Sequence, residues 1–97
     1  MKSGRYFGFM PLYIETIADD IETMIWQNDN EEPDEDNFNF SPETIAEFKK
    51  AVCALRLAYI YAERIDRLAV YAETQGAFHA RLKQKLIEHE EQRVPKP

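Results

Sequence analysis

Cysteine, glycine and serine are scarce in this chain, and between Tyr6 and Phe48 lysine and arginine are missing altogether. Each shortage removes a class of function. The one cysteine, Cys53, has no mate for an intrachain disulfide and no Cys/His spacing that would make a zinc site, so a reducing, cytoplasmic setting is the default expectation. The three glycines, Gly4, Gly8 and Gly76, do not form a phosphate-cradling loop. Serine occurs only as Ser3 and Ser41, and Ser41 is placed to cap a helix. Long apolar runs are absent too. The run from Tyr6 to Ile14 follows Lys2 and Arg5 as in a secretory signal, but Gly8 and Pro11 interrupt it, no small-residue cleavage site follows, and Glu15, Asp19 and Asp20 come directly after. No stretch reaches membrane-spanning length.

What is present fits one helical domain over residues 1–97. The apolar share of 44% is ordinary for a folded protein, which argues against disorder throughout. A domain of this size buries only about two thirds of the surface its unfolded chain exposes, so further burial by self-association is useful to it.

Charge is divided along the chain. Residues 1–5 carry +2, residues 6–48 carry −12 without a single base, and residues 49–97 carry +4, giving the net −6. Such a division bears on partners and solubility more than on fold.

From Pro11 to Gln27, Ile14, Ile17, Ala18, Ile21, Met24 and Ile25 recur at three- and four-residue intervals, which predicts a helix with one apolar face. Glu15, Asp19 and Glu22 keep the same period and make an acidic stripe beside it. Residues 28–40 read as an acidic, solvated loop with Pro33 in its middle. Phe38 and Phe40 are expected to dock it back, with Tyr6, Phe7 and Phe9 as neighbours in an aromatic cluster or a short two-stranded ribbon. Ser41-Pro42-Glu43 supplies a capping hydroxyl, a proline at the first helical position and an acid against the helix dipole. With no breaker before Gly76, helix 2 is expected to run to about Thr74. Ala77 to Glu91 form a third helix with Phe78, Leu82 and Leu86 on one stripe, and residues 94–97 a short tail.

Within helix 2, Ile45, Phe48, Val52, Leu55, Tyr59 and Ala62 alternate steps of three and four, as in a coiled-coil seam, and the pattern then moves to Ile65. Residues 51–62 contain one charge, Arg56, so this segment needs cover on more than one side. A homodimer supplies it, with Val52, Leu55, Tyr59, Ala62 and Ile65 as the expected interface.

The chemical constellations are weak. The acidic loop fails the EF-hand pattern: counted from Asp29, position 6 is Asp34 and position 12 is Phe40, and counted from Asp34 these positions are Asn39 and Ile45. His79 and His89 are ten residues apart and so do not share a helix face, and neither has the carboxylate three residues before it that a di-iron bundle requires. His89 is expected to end the stripe of Phe78, Leu82 and Leu86, and His79 to be exposed. Cys53 lies among Ala51, Val52, Ala54 and Leu55, the context of a buried, inert thiol. Arg81, Lys83 and Lys85 read as a solvated face, and net charge opposes direct nucleic-acid binding.

The expected fold is therefore all-α: a long central helix with two shorter helices, a bundle completed by homodimerisation. No enzyme, cofactor or metal is expected. The expected function is a small acidic interaction factor presenting Glu15, Asp19, Glu22, Asp29, Glu31, Glu32, Asp34, Glu35 and Asp36 to a basic surface of another protein. It would act as an inhibitor in the general manner of phage-encoded anti-defence proteins, an analogy that no residue motif carries. The alternative is a homodimeric adaptor, structural or regulatory protein whose long helix is the working surface, with the loop merely solubilising.

Overall fold

A computed structural model describes residues 5–30, 39–70 and 73–93. They form α1 (Met10–Asn30), α2 (Pro42–Ala69) and α3 (Gln75–Arg93), with no strand among the described residues. At 21, 28 and 19 residues the flanking helices are longer, relative to the central one, than the expected halves.

α1 is entered through a turn in which the Met10 N–H donates to the Phe7 carbonyl at 3.3 Å. Gly8 has φ of +63° there, a left-handed conformation that a side chain would strain. α2 starts as the sequence indicates: Ser41 Oγ accepts from the Thr44 N–H at 3.2 Å, Pro42 opens the helix and Glu43 lies in its first turn.

Its end differs from expectation. α2 stops at Ala69, five residues short of Thr74, and the Val70 N–H closes back on the Asp66 carbonyl at 3.2 Å. Gly76 is not the break but part of the first turn of α3. Thr74 provides the entry to that helix, its hydroxyl accepting from the Ala77 N–H at 3.1 Å and its carbonyl from the Phe78 N–H at 2.9 Å. The first four N–H groups of a helix lack intrahelical partners in any case, so glycine is less disruptive there than in the interior.

α1 and α3 each pack against α2, and no contact joins them to each other among the described residues. Both run antiparallel to α2. Phe7 meets Asp66 at one end of the α1–α2 pair and Asn28 meets Phe40 at the other, while Cys53 faces His89 in the α2–α3 pair. The result is a layer of 51 × 36 × 16 Å. A helix with its side chains is about 10–12 Å across, so the short dimension holds little more than one helix. The radius of gyration of 16.9 Å also exceeds the roughly 12–13 Å of a compact domain of this length.

Such a layer has almost no interior. Ala18, Ile45 and Pro11 are its buried apolar side chains among the described residues. The aromatic residues are correspondingly split. Tyr6 and Phe7 pack edge to face at 5.1 Å near Asp66, and Phe40 and Phe48 at 5.0 Å by the start of α2. The length of α1, about 30 Å, separates the two pairs, so Phe40 does not join the expected cluster with Tyr6, Phe7 and Phe9, and residues 5–9 form no ribbon. Phe38 lies outside the described residues.

Candidate protein-interaction surfaces

A single layer has two broad faces, and here they differ in chemistry. On one, Arg56 of α2 reaches between two acids of α1, donating to Asp19 Oδ1 at 2.7 Å and also to Glu22 Oε1. Burial alone lowers the pKa of Arg56, but the hydrogen bonds to Asp19 and Glu22 outweigh it and hold the guanidinium above its ordinary value. Seven residues further along, Glu63 pairs with Arg5 at 3.4 Å. Tyr59 lies between these pairs. Its phenol is held above its ordinary pKa by burial first, then by the charges of Glu63 and Glu15, against the opposing effect of Arg5. A groove of about 350 Å³ continues this face toward α3, past Arg64, Lys85, Glu88 and His89.

The expected acidic stripe is thus present but not unaccompanied. The segment around it has no base in sequence, and α2 delivers one from 34 to 37 residues away. One guanidinium does not cover two carboxylates: the side chains of Asp19 and Glu22 remain 61 and 55% exposed. Glu15 is half-buried. Asp29 is exposed in the last turn of α1, where no base is present, and so adds to the partial negative charge of the helix end. Glu31, Glu32, Asp34, Glu35 and Asp36 lie outside the described residues.

Asn28 fixes the root of that loop. Its Oδ1 accepts from the Phe40 N–H at 2.6 Å and its Nδ2 donates to the Phe40 carbonyl at 3.3 Å, so one side chain satisfies both backbone groups of the residue where the chain returns. Phe40 docks on Phe48, as expected for a loop held by its aromatic end. The Asn28 clamp has a sequence signal only in retrospect, an asparagine twelve residues before an aromatic helix entry.

The opposite face is apolar. On a helical wheel Ala54, Ala58, Tyr61 and Ile65 lie about 140–180° round from Arg56, and all four are exposed. Met10, Tyr13 and Ile17 of α1 lie at least about 120° from both Asp19 and Glu22 and are exposed as well. Ile17, expected on the buried stripe, therefore points outward. From Ala51 to Ala69 the open side of α2 carries no charge.

Placement of the expected dimer residues is mixed. Val52, Leu55, Tyr59 and Ala62 are half-buried on the side of α2 that also carries buried Ile45 and Asp66, and Val52 lies beside Glu22 and Ile25 of α1. Val52 of the alternating seam thus faces α1 within the chain. Ile65 differs, being 41% exposed on the apolar face.

Asp66, which the sequence did not single out, is 2% exposed and accepts from the Phe7 N–H at 2.7 Å. Cys53 is half-buried rather than buried, and its Sγ lies 3.5 Å from Nε2 of His89, which closes the stripe of Phe78, Leu82 and Leu86. His79 is exposed. Arg81 pairs with Glu73 and Lys85 with Glu88. No group of three or more His, Cys, Asp or Glu that could hold a metal ion exists among the described residues, and none of their helices is long and apolar enough to cross a membrane.

Neither a protein-family model, nor a curated protein, nor a solved structure is similar to this chain. Function is accordingly argued from these two faces.

Proposed function

We propose that this is a non-enzymatic protein-interaction factor that offers its acidic side to a basic surface of another protein, as an inhibitor of a nucleic-acid-binding site would. The observation that carries the reading is the incomplete neutralisation around Arg56, where two carboxylates more than half exposed share one base. The sequence of α1 itself supplies acids and no base, and an excess of one sign steers partners of the opposite sign. Asp29 at the negative end of α1 extends the same field toward the loop.

The test is partner capture by the wild-type chain beside a variant carrying D19N, E22Q, D29N, E31Q, E32Q, D34N, E35Q and D36N. The neutralised chain should keep its circular dichroism and lose at least about tenfold in capture, and duplex DNA should compete with the wild type. Capture that survives both the neutralisation and high salt would overturn the reading.

A second reading, a homodimeric helical adaptor or regulatory protein, is favoured by the near-absence of a buried core. The two are compatible, since they use opposite faces of the layer.

A further inference from the structure

We infer that the apolar face of the α1–α2 pair is the surface on which a second copy of this chain packs, back to back, so that the charged faces of both copies point outward. The inference rests on the self-association in the second reading, and it names a surface other than the seam of α2.

Met10, Tyr13, Ile17, Leu57, Tyr61 and Ile65 are between 38 and 64% exposed. Taking about 200 Å² for a large side chain, these six leave on the order of 600 Å² of apolar surface open. An ordinary monomer exposes a largest apolar patch of about 300–600 Å², and a standard interface buries about 800 Å² on each partner. Adding the exposed Ala54 and Ala58 and the half-buried margins brings the patch into the range of a stable dimer.

The composition of the patch selects the occupant. Its α2 part is uncharged over nearly twenty residues, so a cover must be equally apolar there, and an isologous pairing meets that condition without a second protein. The alanines let two helices approach closely. A lipid surface suits the patch less well, because a net charge of −6 is repelled by anionic headgroups.

Charge also fixes the orientation. Two copies joined through their charged faces would have to desolvate Asp19, Glu22 and Arg56, a cost that the apolar faces avoid. Joined through the apolar faces, the charged faces are separated by two layers, each 16 Å deep, and a Debye length of about 8–10 Å screens their repulsion.

The test combines mass and proximity. Light scattering should give twice the chain mass of 11.4 kDa at micromolar concentration. The double variant Ile17→Glu, Ile65→Glu should weaken association at least about 100-fold. In a Cys53→Ala background, Ala58→Cys should be cross-linked to a dimer by a short bismaleimide, whereas Trp26→Cys, on the charged side of α1, should not; this arm needs no disruptive substitution. A wild-type chain that stays at 11.4 kDa at about 100 μM, or one that cross-links through Trp26→Cys in preference to Ala58→Cys, overturns the inference. Wild-type chain that remains monomeric and sediments with phosphatidylcholine/phosphatidylserine vesicles overturns it in favour of a lipid surface. The acidic-face reading fails separately: a dimer that ignores basic partners removes that reading and leaves the interface standing.

Discussion

The two faces of the helical layer handle their surface groups in opposite ways. On the charged face opposite charges are paired across the chain, Arg56 of α2 with Asp19 and Glu22 of α1, and Arg5, ahead of α1, with Glu63 of α2. On the apolar face the side chains of Met10, Tyr13, Ile17, Tyr61 and Ile65 meet solvent. The lesson is that a layer this thin buries few apolar groups completely and leaves many half-buried or open.

Four changes break or sharpen this contrast, and the largest effect belongs to the boundary between the faces. Asp66→Ala removes a buried acceptor and leaves the Phe7 N–H without it, at an expected cost of about 1–3 kcal/mol in urea unfolding, whereas Asp66→Asn, which keeps an acceptor oxygen, should cost less. Arg56→Met keeps the stem and removes the charge. Because both acids are largely exposed, the loss should be about 1 kcal/mol or less at low salt and should shrink in 1 M salt, while the on-rate toward a basic partner rises.

Ala58→Glu, on the apolar face, should change the stability of dilute protein by no more than about 0.5 kcal/mol. The same change should abolish the concentration dependence of the melting temperature that association confers on the wild type. An Ala58→Glu chain that still melts higher at higher concentration would show the dimer to lie elsewhere.

The smallest effect concerns pH. The folded state holds the Tyr59 phenol above its ordinary value near 10, so the folded chain binds this proton more tightly than the unfolded one. That contribution is fully present below pH of about 10 and is lost as pH rises through the folded-state value. Tyr59→Phe should therefore flatten the alkaline limb of the stability profile and leave the neutral region nearly unchanged.

Much of this arrangement was legible in the residues themselves. Periodicity located all three helices, Ser41-Pro42-Glu43 marked the start of α2 to the residue, and the near-uncharged segment 51–62 announced that α2 needs cover on two sides. What escaped was tertiary. Arg56 reads as one base in an apolar stretch until antiparallel packing sets it between Asp19 and Glu22. The seam of Val52, Leu55 and Tyr59 has the steps of a coiled coil whichever helix it meets, so spacing alone does not separate a partner within the chain from a symmetry mate. The end of α2 at Ala69 has no glycine or proline to mark it, and the cap that opens α3, Thr74, precedes Gly76.

The Asn28–Phe40 clamp makes the helices indifferent to what the chain does between them. With Asn28 and Phe40 held together by one side chain, each doubling of the sequence length between them is expected to cost only about 0.6 kcal/mol of closure entropy. An insertion or a charge change between residues 30 and 39 should therefore leave the three-helix layer as it is.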